Sequence, residues 1–324
     1  MKNGKKFIII CVILTGIGFL LTGIGSILGG RVTGIGLNQN GFLIYTPHGP
    51  YTDGSDFKEY EEKELSLEAF TSLTLNADYG DVTVMASDHY GIAYGMPDYE
   101  TLTYDIQDGA LNVTEYDSRS MDSNGNIYLF NLNFGSFTDG SDYETPYLTI
   151  YVPENADLDK ITVKNESGYI RLSDLQSNLL TVTCDYGDMK VNNISSNDIN
   201  INMESGYLEM DTVTSDTLSA YNDYGDIDMQ QLSVSGDARI ALESGNCNLK
   251  ELSVDNLDIS SSYGSVDLYL NTPLSEYGYD LYTDYGSISL NEEDKNMQYL
   301  LEKESSKLIK IRCESGDISI YGMD

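Results

Sequence analysis

Glu166-Ser167-Gly168-Tyr169 is followed by Asp185-Tyr186-Gly187-Asp188 and Glu204-Ser205-Gly206-Tyr207, and the glycines of these three segments stand 19 residues apart. The same motif recurs to the end of the chain, and one further copy stands alone upstream. Its glycines are Gly80, Gly168, Gly187, Gly206, Gly225, Gly245, Gly264, Gly286 and Gly316. A fixed period of this length is the signature of a repeat architecture.

Apolar and polar residues alternate on both sides of each glycine. Ile161 and Val163 precede the first of these regularly spaced copies, and Ile170 and Leu172 follow its glycine. Such alternation predicts strands with one buried face. A 19-residue unit cannot bury that face alone, so units must stack on one another. The sequence therefore predicts an all-β fold, a parallel β-solenoid that is single-stranded and β-helix-like, of about eight or more rungs. A rung is one turn of the chain around the solenoid.

Each rung is predicted to turn at its glycine, which tolerates a positive φ. A second corner is predicted at an apolar position in the middle of the repeat, namely Leu175, Ile194, Val213, Leu232 or Leu252. Tyrosine shifts by two positions between successive rungs, which would place each bulky ring beside a small residue and supports stacking in register.

The N-terminus has the pattern of a membrane anchor. Lys2, Lys5 and Lys6 precede an uncharged stretch over 7–30 that is long enough to span a bilayer. The positive-inside rule then predicts a cytoplasmic tail at 1–6, a transmembrane helix at 7–30, and a single-pass protein of the cell membrane whose C-terminal domain is extracytoplasmic. A cleaved signal peptide is the alternative, although the apolar core is longer than usual and no Ala-x-Ala site follows it.

The remaining chain divides into three predicted parts. Residues 31–64, rich in Gly and Pro, are predicted to be a juxtamembrane tether with weak order, and 65–324 a β-solenoid ectodomain with an insertion near 118–145. A segment over 292–303, with room for one short helix, precedes the last copy of the motif. The last rung is predicted to be an open edge.

Charge on this edge rung would deter edge-to-edge pairing with another chain. Its basic residues are Lys307, Lys310 and Arg312.

Composition limits the partners. The formal net charge is −34, and no acidic residue precedes Asp53. Such a surface repels nucleic acid and anionic lipid, so cations, cationic peptides or a basic protein are better candidates. Two histidines and no His/Cys cluster predict no transition-metal site and no cofactor. Cys184, Cys247 and Cys313 are predicted to be free thiols, because their number is odd and their spacing wide.

One acidic position recurs in five successive rungs, at Glu166, Asp185, Glu204, Asp223 and Glu243. Stacking in register would set these carboxylates about 5 Å apart. One hypothesis is that they splay into solvent and accept hydrogen bonds from turn amides. The other is that Ca²⁺ bridges neighbouring carboxylates in weak sites, since the nonapeptide of calcium-binding β-rolls is absent.

The segment Leu148-Thr149-Ile150-Tyr151-Val152-Pro153, followed by the turn-then-strand repeats from Gly168 to Gly316, resembles the putative-adhesin family of bacterial envelope proteins. This family is a β-strand-repeat domain of unknown function, and the resemblance covers 65–324. It implies the fold and an envelope location, and it brings no catalytic residue.

The sequence favours a non-enzymatic, membrane-anchored module that is adhesin-like or an envelope scaffold. Its predicted partners are the lipid bilayer, through 7–30, and a cell-wall polymer or envelope protein. The alternative is an accessory or sensor protein in envelope stress signalling. A polysaccharide-acting enzyme is less favoured, because the acids repeat at nearly every rung and the chain has no Trp to stack on sugar rings.

Overall fold

The computed structural model describes residues 34–38, 41–46, 49–50, 61–97, 100–117, 127–131, 145–303 and 307–323. They belong to two compact units. No helix in these ranges is long and apolar enough to cross a membrane. The anchor predicted at 7–30 lies outside them.

The described secondary structure is almost wholly β. The first strands in chain order are β1 (Gly34–Asn38), β2 (Gly41–Thr46), β3 (Gly49–Pro50), β4 (Glu61–Ser66), β5 (Ser72–Tyr79), β6 (Asp81–Ser87), β7 (Gly91–Met96), β8 (Glu100–Gln107), β9 (Ala110–Asp117), β10 (Ile127–Asn131), β11 (Tyr147–Pro153) and β12 (Asp157–Ser167). The remaining strands are β13 (Ile170–Tyr186), β14 (Met189–Ser205), β15 (Leu208–Tyr224), β16 (Ile227–Ser244), β17 (Cys247–Tyr263), β18 (Val266–Pro273), β19 (Gly278–Tyr285), β20 (Ile288–Leu290), β21 (Glu293–Lys295), β22 (Gln298–Leu301), β23 (Leu308–Ser315) and β24 (Ile318–Met323). One short 3-10 helix, Leu274–Glu276, precedes β19.

The smaller unit contains a four-stranded sheet in the order β10-β1-β2-β3. All three of its pairings are antiparallel. Segments predicted as a tether (31–64) and as an insertion (118–145) thus meet in one sheet through backbone hydrogen bonds.

The larger unit is the parallel β-solenoid that the repeat predicts. Strands β13 to β17 are 17 or 18 residues long, and each pairs in parallel with the next. Inward positions alternate with outward ones, so apolar residues such as Leu172, Val191 and Met210 stack in one continuous core.

Each long strand bends at a residue in the left-handed region of backbone conformation. These residues are Asp174, Asn193, Thr212, Gln231 and Glu251, with φ between 51° and 58°. Each lies directly before the apolar position predicted as the second corner. A break in the alternation, missed by sequence reasoning, follows Ser177 and its equivalents Ser196 and Ser215, which are buried although polar. Two consecutive residues after each of these serines face outward. The Ser177 hydroxyl donates a hydrogen bond to Ser196 Oγ at 3.0 Å.

Thr212 is the strained member of the left-handed column, because β-branched residues are outliers at positive φ. We expect Thr212→Asn to raise stability by about 1 kcal/mol, since Asn visits this region readily and occupies it one rung below at Asn193. Thermal melting should show a rise of about 2–4 °C. Thr214→Asn, an exposed change two residues along the same strand, is the control and should give no rise. Equal melting temperatures for both variants would contradict the strain.

The last rung in sequence is not the last rung in space. Strand β23 pairs in parallel with both β17 and β19, and β24 pairs in parallel with both β18 and β20. The C-terminal rung therefore lies between two rungs that precede it in the chain. The order of the last motif glycines along the solenoid is Gly264, Gly316, Gly286.

The prediction that Lys307, Lys310 and Arg312 lie on an open edge and deter pairing with another chain is therefore wrong. Lys310 Nζ lies 2.7 Å from Asp258 Oδ2 on one neighbouring rung. Arg312 Nη2 lies 2.5 Å from Asp280 Oδ2 on the other. The basic residues therefore connect the intercalated rung to the rungs on both sides of it.

Both ends of the solenoid are covered by antiparallel strands. At the C-terminal end, β22 pairs with β19 and β21 with β20, so the segment predicted as a short helix forms strands instead. At the other end, the motif-free segment between Gly80 and Gly168 first adds β9 and β11, which pair in parallel with β5 and β6. Antiparallel strands then follow: β8 pairs with β9, β7 with β11, and β4 with β7. The outer strands β4 and β21 carry charged side chains, such as Glu61 and Lys63 of β4 and Glu293 of β21, and charge on an edge strand deters pairing with another chain.

Candidate binding surface along the glycine edge

The motif glycines form one edge of the solenoid, called the glycine edge. Eight of them have φ between 103° and 151°, in the range that L side chains rarely adopt. A Cβ built on Gly187 would lie 2.0 Å from the carbonyl oxygen of Gly168 in the rung below. Gly286 lacks such a φ, yet its Cβ would lie 2.1 Å from the carbonyl oxygen of Gly316. Close approach of neighbouring rungs therefore excludes a side chain at each of these glycine positions.

Polar side chains inside the corner bind some of these glycine carbonyls. Asn165 Nδ2 donates to the Gly80 oxygen at 3.0 Å, and Asn222 Nδ2 donates to the Gly206 oxygen at 2.9 Å. Both asparagines are completely buried. Their position directly before the motif acid is otherwise held by small or apolar residues, including Cys184 and Cys313.

The position before each glycine alternates strictly between tyrosine and serine along the edge. Its members in spatial order are Tyr79, Ser167, Tyr186, Ser205, Tyr224, Ser244, Tyr263, Ser315 and Tyr285, each paired in register with the next. The five tyrosines are 55–78% exposed and are called the tyrosine ladder. Two rung spacings separate consecutive ladder residues, about 9.6 Å.

Exposed glutamates lie on the rungs between the tyrosines. The position before each ladder serine is Glu166, Glu204, Glu243 or Glu314, and all four side chains are exposed. The edge therefore alternates an exposed tyrosine with an exposed glutamate, and the tyrosine rungs carry further acids that are half-buried at Asp185 and Asp223 and exposed at Asp284. This alternation holds to the end of the solenoid only because the C-terminal rung lies between those of Tyr263 and Tyr285.

A second set of acids, which sequence reasoning missed, lies directly after the glycines. Asp188 Oδ1 accepts a hydrogen bond from the Tyr207 amide at 2.8 Å, and Asp226 Oδ1 accepts one from the Asn246 amide at 2.7 Å. Asp81 and Asp317 accept equivalent bonds from Tyr169 and Ser287. The signal that could have found them is an Asp after Gly in a stacked repeat, where it can satisfy the amide of the next corner.

The column predicted to hold calcium contains two kinds of acid. Glu166, Glu204 and Glu243 are exposed, whereas Asp185 and Asp223 are half-buried. Asp223 accepts a hydrogen bond from the Tyr221 hydroxyl, and that bond raises the pKa of Tyr221 to about 12. Within the described residues, no three His, Cys, Asp or Glu side chains converge on a point that could hold a metal ion.

Calcium binding by this column stays a prediction with a direct test. If Ca²⁺ binds only the folded state, several millimolar Ca²⁺ should raise the melting temperature above that in excess chelator at fixed ionic strength. The rise should disappear in the variant Asp185→Asn, Glu204→Gln, Asp223→Asn. An unchanged melting temperature would contradict calcium binding. The alternative, in which the carboxylates extend into solvent and accept hydrogen bonds from turn amides, would then stand.

Cys184, Cys247 and Cys313 are free and buried, as predicted. Burial raises the pKa of the Cys184 and Cys313 thiols to about 11, with nearby aspartates adding to the effect. Because the folded pKa lies above the unfolded value near 9, the neutral thiols stabilise the fold below about pH 9. This contribution is lost as pH rises toward about 11.

We therefore expect the free energy of unfolding to fall above about pH 9 more steeply in the parent than in Cys184→Ser, Cys313→Ser. Serine is a matched replacement, because Ser261 occupies the same column. Urea unfolding between about pH 8 and about pH 10.5 measures the difference in slope. Parallel pH profiles for the two proteins would show that the thiols do not contribute.

Fold and surface together define a class of protein: an acidic parallel β-solenoid that presents a regular array of side chains. The model of the Toastrack DUF4097 family matches residues 70–321. The chain belongs to this family, as its resemblance to the putative adhesins predicted. No curated protein matches the chain significantly.

Several solved structures are similar to this chain. A "putative cell adhesion protein" from Clostridium sporogenes is 13% identical, with 82% of this chain and 100% of that chain covered and a TM-score of 0.28. A "putative adhesin" from Bacteroides fragilis is 11% identical, with 82% and 98% covered and a TM-score of 0.36. A "putative adhesin" from Parabacteroides distasonis is 10% identical, with 82% and 97% covered and a TM-score of 0.45.

Proposed function

We propose that this protein is a non-enzymatic binding module that faces the cell envelope, with the tyrosine ladder as its binding surface. The observation that carries the proposal is the row of exposed rings at Tyr79, Tyr186, Tyr224, Tyr263 and Tyr285. Exposed aromatic side chains are a feature of interaction surfaces, since they supply a large contact area at low entropy cost. A solenoid fixes them on rigid backbone, so little order must be gained on binding.

The repetition of the surface favours binding over catalysis. Each pair of rungs presents a tyrosine and a glutamate at equivalent positions, so the edge repeats one arrangement along its length. An extended ligand could contact several equivalent positions at once, and such contacts add as multivalent binding.

The cellular setting of the module is also a proposal. A lysine-flanked apolar stretch at 7–30 supports a single-pass anchor with the solenoid outside the membrane. A cell-wall polymer or another envelope protein is then within reach of the ladder. A sensor or accessory role in envelope stress would use the same surface.

The test compares two variants of the full-length chain in sedimentation with isolated cell-wall fractions and with membrane extracts. We expect Tyr186→Ser, Tyr224→Ser, Tyr263→Ser to abolish co-sedimentation. Serine occupies this position on alternate rungs, so the variant should melt like the parent. The control changes the exposed tyrosines Tyr104 and Tyr269, which lie off the ladder, to Ser. Retained binding by the ladder variant would refute the proposal.

A further inference from the structure

We propose that the tyrosine ladder binds a cationic, proline-rich segment of a partner protein in the polyproline II conformation. This inference rests on the proposed binding function and names the partner's chemistry. It follows from three properties of the glycine edge: its period, its aromatic faces and its charge.

The period of the ladder selects the backbone conformation of the partner. Consecutive ladder tyrosines are two rungs, about 9.6 Å, apart. A polyproline II helix has three residues per turn at 3.1 Å each, so its side chains return to the same face every ~9.3 Å. An extended strand repeats every ~6.7 Å and an α-helix every ~5.4 Å. Only the polyproline II period matches the ladder.

The match holds over the whole ladder. From Tyr79 to Tyr285 the register contains eight rung steps, about 38 Å. Four turns of polyproline II contain twelve residues and span about 37 Å. A partner segment of this length would therefore stay in register with all five tyrosines, whereas a strand would lose register after one or two contacts.

The exposed tyrosines suit proline chemically. Proline-rich segments dock on aromatic-lined surfaces in several recognition domains, because the helix is formed before binding and loses little entropy. Each ladder ring lies beside a serine rung, which leaves room between consecutive rings for the ridge of a polyproline II helix.

The charge of the edge selects a cationic segment. The exposed carboxylates of Glu166, Glu204, Glu243 and Glu314 alternate with the ladder tyrosines, and the chain has a net charge of −34. One Arg or Lys per turn would meet one glutamate in each interval, and a guanidinium beside a tyrosine gains a further cation–π attraction. Glu166 already has Lys164 Nζ at 3.8 Å, but a neutral glycan would bring no counter-charge to Glu204, Glu243 or Glu314, and an anionic polymer would be repelled.

The test measures fluorescence anisotropy of labelled peptides with the full-length chain at about 0.15 M salt, where weak surface electrostatics are screened. The probe contains four repeats of Pro-Pro-Arg. One control, four repeats of Gly-Ser-Arg, keeps the charge on a flexible chain, and another, four repeats of Pro-Pro-Glu, reverses the charge. We expect the Pro-Pro-Arg peptide to bind at least about tenfold more tightly than the Gly-Ser-Arg peptide, and the Pro-Pro-Glu peptide not to bind.

Two sets of variants locate the site. Tyr186→Ser, Tyr224→Ser, Tyr263→Ser should weaken Pro-Pro-Arg binding at least about tenfold, and so should Glu204→Gln, Glu243→Gln, while Tyr104→Ser, Tyr269→Ser should have no effect. Equal affinity for the Gly-Ser-Arg peptide would overturn the inference, because attraction would then be electrostatic alone. Undiminished binding by the ladder variant would also overturn it.

The two proposals fail separately. One outcome is that sedimentation with cell-wall fractions needs the ladder tyrosines and is inhibited by a soluble β-1,4-linked oligosaccharide but not by the Pro-Pro-Arg peptide. The inference of a proline-rich partner would then be wrong, and the proposed binding function would stand. If sedimentation does not need the ladder tyrosines, the proposed function itself fails.

Discussion

Gly225→Ala should destabilise the solenoid by at least about 4 kcal/mol, which corresponds to a fall of roughly 10 °C in melting temperature. Two costs combine at this position. Gly225 has a φ of 141°, which an L-residue adopts only with strain. A Cβ there would also lie 2.0 Å from the carbonyl oxygen of Gly206, so the two rungs would have to move apart. Because each rung is held mainly by its neighbours, the disturbance should spread along the solenoid.

Two other glycines separate these costs. Gly109 has a φ of 78°, but the nearest atom to its Cβ would be Thr71 Oγ1 at 3.6 Å, so Gly109→Ala should show strain alone, about 1–2 kcal/mol. Gly286→Ala should show the close contact without the positive φ. We expect chemical denaturation to show a larger loss in the free energy of unfolding for Gly225→Ala than for either of these variants. Equal losses in the free energy of unfolding for Gly225→Ala and Gly109→Ala would mean that the close contact between rungs at Gly225 adds nothing to the strain.

A chain that ends at Lys303 should lose its ordered C-terminal region. Truncation there removes the intercalated rung with its fully buried Ile309, Ile311, Ile318 and Ile320, each worth about 2 kcal/mol. It also breaks the parallel pairing that joins β19 to β23. Hydrogen–deuterium exchange should therefore show loss of amide protection over 278–290, whereas a chain that ends at Tyr321 should keep it.

The same experiment decides the order of the rungs. If the rungs stacked in the order of the sequence, β19 would pair directly with β17 and would stay protected after the truncation. Retained protection over 278–290 would therefore contradict intercalation. A second observable is the ion pair of Lys310 with Asp258, which exists only when β23 lies beside β17.

The candidate surface was only partly predictable. The sequence predicted that Glu166, Asp185 and Glu204 stand in line, because a 19-residue period puts equivalent positions in register, and the residues on both sides of them do pair in register. It did not reveal that the glutamates are exposed while Asp185 is half-buried, since this depends on the neighbouring rung. It also missed Asp188, whose partner amide belongs to a residue 19 positions away.

The structure of a single rung could be predicted from local sequence patterns. Alternation of apolar and polar residues fixed which side chains face the core, and the glycines fixed the turn, because both are properties of local backbone geometry. The break in the alternation after Ser177 and Ser196 escaped detection, because these buried hydroxyls are satisfied by a hydrogen bond to each other that only adjacent rungs can form.

The order of the last rungs was decided by tertiary structure alone. Every rung carries nearly the same pattern of strands, so local preference is equally satisfied whichever rung lies next to it. The choice depends on side chains that meet between rungs. Placing Ser315 between Tyr263 and Tyr285 keeps a small residue beside each ring. The same placement sets Arg312 against Asp280, a contact between residues 32 positions apart that no local pattern encodes.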